Sequence, residues 1–460
     1  MLTYLSLRKC DKLKKLPKFV CMESLEDLDL HKCTSLEEFP EICGDMRRLS
    51  ILNLGSPWIR SLPPSLSGLR ELQLDDCEIL ESIPDTIRNL SVLSILNCNK
   101  LETLPNSLFE SQQLEYLSIN QCSGLVKLPI SLGVQKNLGH LEMDRCLNLE
   151  KFPSSIRMES VRYLKIIDCP KLDTFPEIKG DMHRLKVLLL HSTGIREVPS
   201  SIGNLSGLTR LYLDSCEDLV SLPDSLCNLM NLQLLHLRGC KKLEKLPENI
   251  RDLQELYIHD ASETAISQPH DELDRNILGG LPEELGSLRE LDVNGSNISC
   301  LPKSFKGLFP LQYLDVQYCE NLNELPGKLP PNLTILYADY HLALKSIRDL
   351  VINCLKLCRL GISNCGTVSS EQVTVFLQHF LTTCIQKGRL QMIITCWSYL
   401  GMTYASGNTE GKNPNDYYML ELFDLYMYGE EQCCWGIRLE YEKEAMSDTG
   451  HPKKKRRSNE

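Results

Sequence analysis

Cysteine offers the first candidate chemistry in this chain: there are 21 in 460 residues, and a thiol can attack a carbonyl, hold zinc or close a disulfide. No Cys-x-x-Cys pair occurs, so the common zinc arrangement is missing. The only adjacent pair, Cys433 and Cys434, sits among Glu430, Glu431 and Glu440. Negative neighbours raise a thiol pKa and work against a thiolate nucleophile. Eleven others, Cys10, Cys33, Cys77, Cys98, Cys122, Cys146, Cys169, Cys216, Cys240, Cys319 and Cys365, recur at one place in a repeated frame. There a thiol serves as a small apolar group with a weak donor that can reach a backbone carbonyl of the adjoining turn. With no apolar leader stretch at the start, a reduced ladder is expected rather than a disulfide framework. No metal or cofactor is expected.

A second set of candidates suits recognition. Arg210, Tyr212, Asp214, His236, Arg238, Tyr257, His259, Asp292, Tyr313, Asp315 and Gln317 lie between the leucines of successive frames. Arg and aromatic side chains aligned on one surface are the types that dominate interface energetics. A net charge of −11 argues against nucleic acid as the partner of the repeats and favours a protein ligand.

The elements that position both sets come from one pattern. The frame Leu-x-x-Leu-x-Leu-x-x-Cys opens at Leu2, Leu25, Leu49, Leu69, Leu90, Leu114, Leu138, Val161, Leu185, Leu208, Leu232, Leu253, Leu288, Leu311, Leu333 and Leu357, and Leu-Pro steps such as Leu222-Pro223 and Leu246-Pro247 follow. Alternation within the frame predicts a short strand, and proline turns the chain back. This periodicity is the leucine-rich-repeat signature: an α/β solenoid, a horseshoe with a parallel β-sheet on its concave face. The solenoid is expected over residues 1–345, with a polar loop inserted at 261–280 where the spacing stretches, because extra residues must leave the stack.

Beyond it, 346–388 reads as a last degenerate repeat and an amphipathic helix. The stripe Val373, Phe376, Leu377, Phe380, Leu381 and Cys384 is capped by Ser369 and Gln372 and closed by Gly388. Residues 389–446 read as a small β-rich domain, with strands within 390–399, 417–428 and 435–441. Residues 447–460 form a basic tail in which Lys453, Lys454, Lys455, Arg456 and Arg457 make a nuclear-import candidate. No apolar run is long enough to span a membrane.

The stretches LTRLYLDSCEDLVSLP (208–223) and LQLLHLRGCKKLEKLP (232–247) resemble the repeats of plant intracellular immune receptors of the Toll/interleukin-receptor, nucleotide-binding, leucine-rich-repeat class. The likeness covers roughly residues 1–345. Leu329 to Ala338 resembles the last-repeat motif of that class, and Cys434 to Glu442 resembles the closing strand of its post-repeat jelly-roll domain, although the usual Cys-Phe-Pro-Gly entry motif is absent. The resemblance implies recognition of a pathogen effector or guarded host protein, and restraint of the receptor's own nucleotide-binding domain. It also implies a cytoplasmic location with a nuclear share, and no catalysis. A phosphate-binding Gly-x-x-x-x-Gly-Lys-Ser/Thr loop is missing, and Met1-Leu2 opens inside a repeat, as in a fragment or a truncated product. Two other readings compete: a cytosolic scaffold for a small GTPase, which favours regular repeats with Asn over Cys, and a Cys-dependent enzyme of the repeat-effector type.

Overall fold

A computed structural model describes residues 2–340 apart from 18–22, 41–47, 254, 257, 267–287, 302–304, 306–307, 323–324 and 326–327, together with Lys356 and the strands 359–361, 393–399, 425–426 and 435–440. Each frame contributes one strand, from Tyr4–Ser6 in the first turn to Arg359–Gly361 in the sixteenth. Neighbouring strands pair in parallel and in register, as in Tyr116↔His140↔Tyr163 and Arg210↔Leu234. Below, turns are numbered in chain order by the frames that open them.

Inward leucines at the first, fourth and sixth places form one continuous core, in which Leu208, Leu211 and Leu213 are buried along with their counterparts Leu232, Leu235 and Leu237. The core extends lengthwise, so the chain needs no second centre to bury its apolar residues. Opposite the sheet the chain makes short 3₁₀ turns, Ile130–Val134, Ser200–Asn204, Asp224–Asn228 and Glu248–Asp252, each entered from a proline. Proline suits that place because its fixed φ starts the turn and its missing N–H is not needed there.

Most of the ninth-place thiols among the described residues behave as the sequence implies; Cys10, in the first turn, is exposed instead, and Cys365 lies outside the described residues. Cys33, Cys146, Cys216, Cys240 and Cys319 donate from Sγ to the sixth-place carbonyl of the preceding turn, at 3.1, 3.4, 3.0, 3.2 and 3.1 Å. All are free and buried. Where a hydroxyl replaces the thiol it finds carbonyl partners too: Ser296 Oγ donates to Ala261 O of the preceding turn at 2.9 Å, and Thr193 Oγ1 to Leu190 O of its own turn at 2.9 Å.

A feature the sequence reading passed over is the eighth place. Lys32, Asp76, Asn97, Gln121, Arg145, Asp168, Ser192, Ser215, Glu263, Tyr318 and Tyr340 all have positive φ there, as do Gly239 and Gly295. In these turns the left-handed residue follows the strand and turns the chain so that the ninth-place side chain enters the core.

Two expectations need correcting. The twelfth frame opens at Leu256, not Leu253: Ile258, His259 and Asp260 pair with Leu234, Leu235 and His236, and Glu263 takes the left-handed eighth place. The spacing is therefore 24 residues from Leu232 and 32 to Leu288 (256 − 232 and 288 − 256). The insertion also begins later than 261, because Ala261, Ser262, Thr264 and Ile266 are buried in the stack. The rest of that loop lies outside the described residues. So do the helix expected at 369–388 and the tail. In the β-rich region, Trp435–Glu440 pairs antiparallel with both Arg359–Gly361 and Ile393–Tyr399.

Candidate functional site

On the sheet's solvent face the third, fifth and seventh places of each frame line up into columns, and most of the expected recognition residues fall in them. Arg210 and Arg238 are exposed, while Tyr212, Asp214, His236, Asp292, Tyr313 and Gln317 are half-buried. Asp315 is buried. Tyr212 and His236, opposite each other in adjacent strands, stack at 4.8 Å with a 36° tilt. Asp214 accepts from the Arg238 backbone N–H at 3.2 Å, while the Arg238 guanidinium reaches Glu263 Oε1 at 2.9 Å. Tyr313 donates to Asp315 Oδ2 at 3.2 Å, and the Gln317 backbone N–H to Oδ1 at 2.9 Å.

By strand register His259 does not fall in this row. His259 takes the register place of the inward Leu235 and Leu291, and Asp260 takes the outward place beside His236 and Asp292. Tyr257 lies outside the described residues. The basic cluster Lys453 to Arg457 does too.

Outward residues of the N-terminal half also form groups, outside the expected row. His140 lies sandwiched between Tyr116, at 4.7 Å, and Tyr163, at 4.8 Å, with all three rings nearly parallel. Beside them Lys165 Nζ bridges Glu142 Oε1 at 2.8 Å and Asp144 Oδ2 at 3.4 Å. Burial works against both charges, yet the contact prevails, holding Glu142 below the usual carboxylate range and Lys165 above the usual amine range. In the N-terminal turns His31 Nδ1 meets Asp75 Oδ2 at 2.8 Å across an intervening turn. Gly55, the seventh-place residue between them, has no side chain to block that approach. Reading third and seventh places down every frame would have found both groups.

Electrostatics divide the face. Burial raises the Asp214 carboxyl, with His236 opposing the shift and Asp260 adding to it. The ligand atoms of Asp214, His236 and Asp260 lie within 4.8 Å of one another. Two carboxylates and an imidazole can ligate a divalent cation. Two oxygens are already engaged, Asp214 Oδ1 by Arg238 N and Asp260 Oδ1 by Ser262 N.

Four of the buried thiols, Cys216, Cys227, Cys240 and Cys319, make poor nucleophiles. Burial pushes Cys227 up to about 11 and Cys319 up to about 12, and raises Cys216 and Cys240 as well. Iodoacetamide at neutral pH should therefore alkylate the exposed Cys10 well before Cys216, Cys240 and Cys319. Peptide mapping after timed labelling reads this out, and core cysteines reacting as fast as Cys10 would contradict the buried ladder.

Comparison with known proteins agrees with the repeat geometry. Residues 157–367 match the family model described as "Disease resistance protein RPS4B-like, leucine-rich repeats", and residues 68–90 match a general leucine-rich-repeat model. TMV resistance protein N of Nicotiana glutinosa is 36% identical over 252 residues, covering 45% of this chain and 22% of that protein. The disease resistance-like protein CSA1 of Arabidopsis thaliana is 36% identical over 260 residues, or 54% of this chain and 20% of its own length. The chain thus spans about a fifth of the length of these relatives. In fold it resembles the Toll–Spatzle complex of Drosophila, with a TM-score of 0.51 at 19% identity over 72% of this chain and 45% of that one. Among the described residues no helix is long and apolar enough to cross a membrane. The chain is a leucine-rich-repeat solenoid, and its repeats are similar to those of plant disease-resistance proteins.

Proposed function

We propose that the chain is the ligand-reading part of an intracellular plant immune receptor, in which the concave face of the C-terminal turns binds a pathogen effector or a host protein that effectors target. The same stack restrains the receptor's own nucleotide-binding domain until that ligand arrives, and it carries out no reaction itself. The observation behind this reading is the outward row in turns 10 to 14, where Tyr212, His236, Arg238, Tyr313 and Gln317 share one face of an in-register sheet. Side chains of these types, set on a rigid scaffold with little entropy left to lose, make effective contact surfaces. Names of the similar proteins supply the setting of disease resistance.

Replacing Tyr212 and Arg238 together by Ala should weaken a co-purified protein partner by roughly tenfold or more, the loss expected from two interface anchors. Thermal unfolding should barely change, because neither side chain belongs to the core. Partner binding that survives this double variant but is lost on replacing Asn53 and Gln73, in turns 3 and 4, would move recognition to the other end of the sheet.

A further inference from the structure

Turns 12 to 14 place an aspartate at the same outward position three times running: Asp260 pairs with Asp292, and Asp292 with Asp315. Adjacent parallel strands lie about 4.8 Å apart, so three carboxylates stand within about 10 Å along the stack. Like charges directly opposite one another destabilise a sheet. Each Oδ1 is pinned by the backbone N–H two residues on, from Ser262 at 3.1 Å, Asn294 at 3.0 Å and Gln317 at 2.9 Å. The Oδ2 atoms of Asp260 and Asp292 have no hydrogen-bond partner among the described residues, and no Lys or Arg there forms an ion pair with any of the three. Asp315 is only 6% exposed. Burial, with Asp260 and Asp315 adding to it, pushes the Asp292 carboxyl up to about 7.

A second, independent feature frames this row. Tyr313 and Tyr337 meet edge to face at 6.0 Å, and Tyr318 and Tyr340 stack at 4.4 Å while remaining 49% and 40% exposed. Stacked, half-open phenol rings beside desolvated carboxylates are the surroundings a guanidinium prefers, because it bonds to carboxylates in a planar fork and lies flat on aromatic faces. We propose that this tyrosine-framed aspartate ladder binds an extended protein segment carrying arginine side chains. Two arginines at i and i+2 of an extended chain lie about 6.8 Å apart, within the about 10 Å that the three carboxylates span, so both guanidiniums reach the row. The inference rests on the recognition reading above and narrows it to a basic, arginine-bearing partner surface.

Fluorescence anisotropy with labelled nona-arginine as the probe, on the full chain at physiological salt, tests it. The Asp260→Asn, Asp292→Asn, Asp315→Asn variant should bind at least about tenfold more weakly than the parent, as expected for loss of charge-assisted hydrogen bonds. A control with the same charge change, Glu37→Gln, Glu78→Gln, Glu102→Gln, should bind as the parent does. Tyr318→Ser with Tyr340→Ser should cost several-fold, and nona-lysine should bind the parent less well than nona-arginine. Equal loss in the ladder and control variants, or no binding by the parent, overturns the proposal. So does Mn²⁺ alone raising the melting temperature of the parent but not of His236→Ala, which would make the row a cation site instead. Should the ladder variant fail to fold, the tyrosine variant decides: unchanged nona-arginine binding there overturns the proposal. A parent that ignores nona-arginine while its protein partner still depends on Tyr212 and Arg238 removes this inference and leaves the recognition reading standing.

Discussion

Leu213→Asp should unfold the middle of the solenoid. Leu213 is fully buried at the sixth place of turn 10, its carbonyl accepts the Cys240 thiol, and its backbone N–H donates to His236 O at 2.9 Å. The substitution removes a leucine from the core and leaves a carboxylate there without a cation, a combined loss on the order of 5 kcal/mol. In a stack where each turn touches only its neighbours, the damage should be local at first, separating turns 1–9 from turns 11–16 in unfolding. Urea denaturation followed by hydrogen exchange should show protection falling first around turns 9 to 11. A variant that unfolds in one step at the parent's urea midpoint would refute the placement of Leu213 in the core.

Gly207→Ala should have the next largest effect, although it adds a single methyl group. Gly207 lies buried just before the frame of turn 10, and a Cβ built there would overlap the carbonyl oxygen of His183 in the turn below. Its φ is not left-handed, so the penalty is purely one of contact. Neither backbone can retreat without breaking pairs such as the Thr209 N–H to Lys186 O bond at 3.0 Å. Overpacking of this kind costs roughly 1–3 kcal/mol, and a clash with backbone belongs at the upper end. Gly139, whose Cβ would meet Glu115 O at an ordinary 3.7 Å, is the matched control. If both alanine variants melt together at the parent temperature, the close approach of the two turns is not real.

Most of the solenoid was legible in the sequence because its inward places are chemically distinct from its outward ones. The slip at turn 12 has a specific cause. Leu205, Leu229 and Leu253 each stand three residues ahead of a frame and accept the backbone N–H of the leucine that opens it, Leu208, Leu232 and Leu256. Leu253, Leu256 and Ile258 therefore imitate the first, fourth and sixth places, while the true frame carries His259 and Ala261 where leucine is usual. Only strand register separates the two alternatives. The slip put Tyr257 and His259 into the candidate row and left out Asp260, the residue that makes the aspartate ladder continuous. The sandwich of Tyr116, His140 and Tyr163 was hidden for another reason: its members lie more than 20 residues apart in sequence and become neighbours only once the turns are stacked.

In-register stacking also bears on how such a surface can change over generations. Residues that hold the fold and residues that face outward alternate along most described strands, as with buried Leu211 between Arg210 and Tyr212, so one codon can be rewritten without disturbing its neighbours' task. Exposed substitutions shift stability by only about 0.5 kcal/mol. Each outward residue thus has its own row and column, like a character in a printed grid, and a new specificity can be spelled one character at a time on an unchanged page.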